Sequence, residues 1–391
     1  MRASSSIKVL ALVAALLWPA ASHAQTVETP AKQALLIDYD TGTVLFAKNA
    51  EERMPPASMS KLMTAVMVFD RLKAGTLKLD DTFTVSERAW RMSLNEGSAM
   101  FLALNDRVKI EDLLRGMIIQ SGNDACVALA EGIAGSEERF AELMNVRARE
   151  IGLTNSNFRN SSGWPDPNHV TTARDLARLA QHIVAAYPEY YRYYAEKEFT
   201  YGVDIKTKKP IRQGNRNPLL YKDGGADGLK TGHTNAAGYG LTASAKRGDR
   251  RLILVVNGLA SMNQRSQESE RLLDLGFREW DNYRLFTAGS TVETAQVWLG
   301  EAATVPLVID RDVILTLARK NRPGLTATIS YDGPIKAPIA KGTPVGRLLV
   351  AAPNMPTQEI PLLAGANVQK LGFGGRIAAA FNHMVWGKST Q

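Results

Sequence analysis

Ser58 and Lys61 stand three residues apart at the start of PPASMSKLMTAVMVFD (55–70), a stretch otherwise almost wholly apolar. On a helix, residues three apart share a face about one turn apart, so the lysine amine can reach the serine hydroxyl. Burial lowers an amine's pKa toward neutrality, and a neutral amine beside a hydroxyl is a general base for a serine nucleophile. The start of a helix also offers unpaired backbone N–H groups where negative charge develops. Taken alone, the pair favours a plainer reading, with Ser58 as an N-cap and Lys61 snorkelling outward. A second S-x-x-K match, Ser5 to Lys8, lies in the N-terminal export signal and is set aside.

Two further motifs overturn the plainer reading. Ser121-Gly122-Asn123 falls in a break between helical stretches, where side chains face a cleft. Lys230-Thr231-Gly232, followed by His233, falls in an extended run. In a chain of 391 residues each tripeptide arises by chance with a probability on the order of a tenth. All three together, in the order helix, loop, strand, are far rarer. The set resembles that of the penicillin-recognising serine acyl-transferases: S-x-x-K, S-x-N and K-T-G. The SGN form, the KTGHT run, a β-rich tail and a short C-terminal amphipathic segment narrow the likeness. They resemble the low-molecular-mass penicillin-binding proteins of the serine-type D-alanyl-D-alanine carboxypeptidase family. The resemblance covers essentially the whole mature chain.

That resemblance implies roles residue by residue. Ser58 is the acylated nucleophile and Lys61 its base. Ser121 relays the proton toward the leaving amine, and Asn123 helps to hold substrate and Lys61. Lys230 and Thr231 bind the terminal carboxylate, and Gly232 leaves room for the substrate backbone beside the strand. The backbone N–H groups of Ser58 and His233 form an oxyanion hole, the imidazole of His233 only filling space. Arg265, in MNQRSQESE, corresponds to an arginine near the carboxylate site. The implied substrates are peptidoglycan pentapeptide stems, which lose their terminal D-alanine to water, and β-lactam antibiotics are the implied covalent inhibitors. No metal or cofactor is implied.

The physical logic agrees, since a lysine beside an exposed strand edge supplies both charge and backbone hydrogen bonds for a carboxylate. Two cations near one pocket also help to keep Lys61 neutral. One departure from the family pattern is that Ser162 precedes Gly163 where some members carry a histidine, which bears on deacylation and loop ordering. Rival readings are a slowly deacylating penicillin sensor and a β-lactamase-like hydrolase. A class A β-lactamase needs a glutamate in the loop 158–170, which here offers only Asp166. No G-x-S-x-G esterase pentad is present.

The elements that must position these residues are legible in outline. QALLIDYD and TVLFAKN flank the turn Asp40-Thr41-Gly42 and predict a β-hairpin. Pro55-Pro56 halts the strand, and Ser58 opens a helix whose apolar residues cover nearly its whole circumference, so it lies inside a domain. Residues 110–153 read as consecutive helices, broken at Gln120-Ser121-Gly122 and Gly135-Ser136. After a polar loop, Thr171-Thr172 caps another. GADGLKTGH, GYGLTASA and RRLILVVNG then read as strands, the last two an antiparallel pair. A helix from about Gln264 to Trp280 follows. Strands at both ends of a helical middle predict one α/β domain over 25–283, with sheet and helical region packed together. Short alternating runs punctuated by Gly and Pro predict a small all-β sandwich over 284–371.

Composition closes off other classes. Hydrophobic content of 45% and charged content of 22% are ordinary for a globular protein. Residues 1–24, with a basic start, an apolar run and the small-x-small ending Ser22-His23-Ala24, read as a cleaved signal peptide. Its removal lowers the formal charge of +8 by two. That charge is spread without a Lys/Arg block, which argues against nucleic acid. The lone Cys126 reads as a small core residue. His23, His169, His182, His233 and His383 are scattered, and no HExxH occurs, so zinc-hydrolase chemistry is not indicated. Residues 372–391 read as an amphipathic interfacial segment, and the resemblance implies a periplasmic protein held by it on the outer face of the inner membrane. Oligomeric state is not legible.

Overall fold

The computed structural model describes residues 27–94, 97–204, 206–375 and 377. The signal segment 1–24 lies outside the described residues, as does most of the anchor segment 372–391.

The expected hairpin forms: Gln33–Asp38 pairs antiparallel with Val44–Lys48. Its first strand also pairs with Arg250–Leu259, which pairs with Gly238–Arg247, which pairs with Ala226–Thr234. The result is a five-stranded antiparallel sheet, with the hairpin at one edge and the KTG strand at the other. Both faces of the sheet are covered, which explains continuous apolar runs such as LILVV at 252–256. Leu35, Ile37, Ile253 and Val255 face a large core shared with the helical region. The alternate residues Leu36, Leu254 and Val256 pack with Leu272 and Leu273 of the helix Met262–Glu279 on the opposite face.

The helical region contains Ile110–Arg115, a π-helical turn Gly116–Gln120, Asn123–Ala134, Glu137–Glu150 and Ala173–Ala186. Thr172 caps the last of these by accepting the N–H of Asp175, as its sequence suggested. Lys61–Lys73 forms a helix through the middle of this region, buried on nearly all sides. It departs from expectation in one detail. Ser58 lies in a 3-10 turn, Ala57–Ser60, that precedes the α-helix, which itself begins at Lys61. Ala57 enters that turn at φ +48°, and Met59 N–H closes it onto Pro56 O at 3.2 Å. Two small hairpins, Thr82–Thr84 with Arg107–Lys109 and Glu198–Val203 with Pro210–Gly214, had no counterpart in the sequence reading.

The C-terminal unit is β-rich. A six-stranded sheet, from Thr291–Trp298 through Gln358–Ala364, shares one core with the pair Trp280–Phe286 and Val313–Ala318. The strand Trp280–Phe286 runs across the boundary placed at 283/284, because it leaves the end of the helix Met262–Glu279 without a break. Buried Asp38 ties the two units together. It pairs with Arg250 at 2.9 Å and accepts Asn282 Nδ2–H at 3.2 Å, while Thr41 Oγ1 meets Thr316 Oγ1 at 2.5 Å.

Candidate active site

The 3-10 turn carrying Ser58 packs against the face of the KTG strand, which is an edge strand of the sheet. A Cβ on Gly232 would stand 2.9 Å from Pro56 O and 3.2 Å from Met59 N, so only glycine lets the two backbones approach this closely. Between them opens a cavity of about 740 Å³, lined by Ser58, Ser121, Asn123, Thr231 and Gly232 among others. His233 and Arg265 also reach it. Lys61 and Lys230 lie behind its wall, 1% and 2% exposed. All nine residues singled out from sequence therefore converge on one place, although no local spacing joins the three motifs.

Lys61 Nζ has three oxygen neighbours: Ser58 Oγ at 2.8 Å, Asn123 Oδ1 at 2.8 Å and Ser162 O at 2.6 Å. Two of these are carbonyl oxygens, which only accept. A neutral amine has two N–H groups and one lone pair. As an ammonium Lys61 donates to all three oxygens; once one proton is lost, its two N–H groups suffice for Asn123 and Ser162, and the lone pair is left for the Ser58 hydroxyl. Burial lowers the Lys61 pKa to about 8, with nearby Arg216 pressing the same way and Asp124 and Glu137 opposing. The charge state needed in a base is thus within reach near neutral pH.

Ser121 occupies the left-handed region at φ +69°, the price of turning its side chain into the cleft between two helical segments. Asn123 begins the next helix and is anchored by its N–H to Ser98 O at 2.7 Å. Asp124, fully buried, holds the facing loop by accepting the N–H groups of Met100 and Leu102 at 3.0 and 3.1 Å.

The other wall is cationic. Burial pushes the Lys230 pKa well down, helped by Lys61, Arg216 and Arg265. Arg265 is lowered to about 10, chiefly by burial. Its Nε is buried with no hydrogen-bond partner among the described residues, and its guanidinium lies 5.9 Å from the Tyr239 ring centroid. A buried donor without an acceptor, beside mutually repelling cations, is the arrangement an anion would relieve. His233 stacks on Tyr239 at 3.9 Å between centroids, and burial followed by Arg265 lowers its pKa.

Comparison with known proteins agrees with this geometry. Residues 20–261 match the D-alanyl-D-alanine carboxypeptidase family, and residues 280–370 match the penicillin-binding protein 5 C-terminal domain. The D-alanyl-D-alanine carboxypeptidase DacC of Escherichia coli K12 is 41% identical over 361 residues, covering 90% of this chain and 88% of that protein. Penicillin-binding protein 5 from Haemophilus influenzae superposes with a TM-score of 0.78 at 37% identity, covering 88% of this chain and 99% of the other. This chain belongs to the D-alanyl-D-alanine carboxypeptidase family. It is a serine carboxypeptidase of the penicillin-binding type. Penicillin-binding protein D2 of Listeria monocytogenes, solved in its ampicillin-bound form, is a more distant relative at 27% identity and a TM-score of 0.57, covering 65% of this chain and 99% of the other.

In this carboxypeptidase, several site residues had no sequence signal. Arg216 reaches the cavity from the polar stretch RQGNRN and donates to Ser98 Oγ at 2.6 Å. Neither residue belongs to a motif, and only folding brings them together. The loop around Ser162 is equally cryptic. Lys61 is held there by a backbone carbonyl, so the serine side chain that departs from the family pattern does not touch it. The loop is fixed instead by Asn160 Oδ1, which accepts the N–H groups of Gly163 at 2.8 Å and Trp164 at 3.0 Å. Glu137 accepts Ser161 Oγ–H at 2.6 Å, and Thr64 donates to Ser161 O at 2.5 Å. Gly163 sits at φ +81°, where a Cβ would fall 1.8 Å from Ala57 O. Gly163→Ala should therefore force this loop away from the serine turn and take the Ser162 carbonyl from Lys61. Acylation by penicillin, followed by stopped-flow or mass spectrometry, should slow by about a hundredfold or more, as for loss of a preorganised catalytic contact. A variant acylated at the wild-type rate would show that the loop does not position Lys61.

Proposed function

We propose that this carboxypeptidase removes the terminal D-alanine of peptidoglycan pentapeptide stems through an ester on Ser58. Neutral Lys61 takes the Ser58 proton as Oγ attacks the carbonyl between the two D-alanines. The backbone N–H groups of Ser58 and His233 receive the oxyanion. As the C–N bond breaks, the proton on Lys61 passes through Ser121 to the departing amine, and free D-alanine leaves. Water then attacks the ester, Lys61 again accepting a proton, and Ser58 is regenerated as the shortened peptide dissociates. Lys230, Thr231 and Arg265 hold the carboxylate of the terminal D-alanine until it leaves, Asn123 orients Lys61 and the substrate, and Gly232 admits the substrate backbone. The observation that carries this reading is the three-way coordination of Lys61, which directs its lone pair at Ser58.

β-Lactams, whose strained amide would occupy the same place, acylate Ser58 in this scheme, a reading supported by the ampicillin-bound Listeria relative. Ser58→Ala should lose both the penicillin adduct, read by mass spectrometry, and D-alanine release from a small D-Ala-D-Ala peptide. An adduct that persists in this variant places the nucleophile elsewhere.

The pH dependence follows from Lys61. Its ammonium has no lone pair, so the base is present only above its pKa. kcat/KM, which reports free-enzyme groups, should rise with pH and level off above about 8, the value to which burial brings Lys61. Lys61→Arg, which stays protonated at every accessible pH, should lose this rise together with most of the activity. A wild-type profile that is flat from about pH 6 to 9 would remove Lys61 as the base.

We also propose export to the periplasm through residues 1–24 and attachment to the inner membrane through residues 372–391. Supporting this are the apolar run of the first segment and the exposed Phe373 and Ile377 at the start of the second. Among the described residues no helix is long and apolar enough to cross a membrane. Deleting residues 372–391 should move the enzyme from the membrane fraction to the soluble periplasmic fraction. Full-length protein already found in the soluble fraction would contradict the anchor.

A further inference from the structure

The hairpin of Glu198–Val203 with Pro210–Gly214 rises from the wall of the active-site cavity. Both strands pack at their base on the π-helical turn Gly116–Gln120, which leads into Ser121. Phe199 is buried there, its ring centroid 5.1 Å from the guanidinium of Arg115. Gln213 Nε2 donates to Ala99 O at 3.1 Å, next to Ser98 of the cavity lining. Arg216 enters that lining just after the second strand ends at Gly214. The other end of the hairpin is free. Every described residue from Gly202 to Pro210 is exposed. At about 3.3 Å per residue, the strand Glu198–Val203 carries the turn roughly 20 Å from its base.

The turn is cationic by arrangement. The amines of Lys206, Lys208 and Lys209 have no ion-pair, hydrogen-bond or ring partner among the described residues. The one acid of the turn, Asp204, faces the backbone. Its carboxylate accepts the N–H groups of Thr207 at 2.6 Å and Lys206 at 3.0 Å. Asp204 N–H also bonds Lys209 O at 2.9 Å, and Lys208 N–H bonds Asp204 O at 2.8 Å, so the turn has a set shape. The next cation along the chain, Arg212, is taken by Glu198 at 2.8 Å. Lysines that guard a sheet edge are placed along the strand. These three are gathered in the turn, where there is no edge to guard.

We propose that this hairpin is a second contact for polymerised peptidoglycan, its lysines holding the free carboxylates of stem peptides that neighbour the one in the cleft. The proposal rests on the D-Ala-D-Ala reading of the active site and adds to it the form of the substrate. Chemistry supplies the match, because every stem that is not cross-linked ends in a carboxylate, before trimming and after it. A single soluble peptide offers one such end, which the cleft itself takes, whereas a polymer offers a row. Several weak pairs on one arm raise the effective concentration of stems at Ser58 without a new contact in the cleft. Placement favours the wall polymer over a lipid surface. The C-terminal unit, whose end carries the proposed anchor, meets the catalytic domain through Asp38 and Arg250, while the hairpin springs from the cleft.

The test combines Lys206→Gln, Lys208→Gln and Lys209→Gln in the full chain, with activity on a soluble peptide as the control for folding. D-alanine release from Nα-acetyl-L-Lys-D-Ala-D-Ala should stay within about twofold of wild type, since the changes are exposed and outside the cleft. Retention is then measured on detergent-washed sacculi with fully trimmed stems, which offer the cleft no D-Ala-D-Ala end. It should fall about tenfold, as three exposed pairs of about twofold each combine. The difference between wild type and variant should vanish at about 1 M salt, where screening acts within about 3 Å. It should also vanish on sacculi whose carboxylates have been converted to amides. Wild-type retention in the triple variant overturns the proposal, as does an equal loss on the amide-blocked sacculi. Weaker binding to phosphatidylglycerol vesicles with unchanged retention on sacculi overturns it in favour of a membrane contact. A fall of about tenfold on the soluble peptide also overturns it, by placing the effect in the cleft. Wild-type enzyme that releases no D-alanine from the soluble peptide would instead overturn the carboxypeptidase reading, on which the retention assay does not depend.

Discussion

A lysine side chain sealed inside a protein loses the hydration of its charge, a penalty of several kcal/mol that must be met by partners or by giving up the proton. Lys61 is in that position, and the rest of the catalytic domain is arranged around it. Three segments distant in sequence each deliver one oxygen to its amine: the serine turn, the start of the helix Asn123–Ala134, and the loop at Ser162. Two carbonyl acceptors occupy the N–H groups and leave the lone pair for Ser58. Burial therefore both creates the base and orients it. The same burial explains why Cys126 beside it is inert, its thiol pushed up to about 12.

Each of those oxygens has its own support, and the supports account for much of the polar interior. Asn123 is held through its backbone by Ser98, while the loop carrying Ser98 is held by Asp124. The Ser162 carbonyl is held by a loop that Asn160, Glu137 and Thr64 fix from three sides. Glu137 is itself paired with Arg88 at 2.6 Å. His169 links the far end of the same loop to the serine turn through Ser60. Buried polar groups of this kind are costly unless satisfied, so a chain that satisfies them all in one arrangement also specifies that arrangement. The carboxylate side differs: among the described residues Arg265 Nε has no hydrogen-bond partner and the cations repel one another, which stores binding preference for an anion at some cost to the free enzyme.

The sheet supplies the rigid frame. Its central strands are covered on both faces, so the KTG strand is held in place beneath the serine turn while its outer edge stays unpaired. The C-terminal β unit is joined to the sheet's far side through buried Asp38, Arg250 and Asn282, away from the cavity.

The chain's order of residues determined the chemistry and the class of fold. Ser58, Lys61, the SGN turn and the KTG strand were legible because each is a short motif, and covalent catalysis depends first on residue type. The hairpin, the buried serine helix, the capped helix at Thr172 and the strands 226–259 were legible because hydrophobic period and turn residues are local signals. What only the tertiary structure decided is everything that depends on desolvation or on a partner far along the chain. The neutral tendency of Lys61, the place of Ser58 in a 3-10 turn rather than in the helix proper, and the entry of Arg216 and Ser98 into the cavity are of this kind. No local pattern encodes them, because a side chain's hydration and its hydrogen-bond partners are set by whichever distant segments close over it.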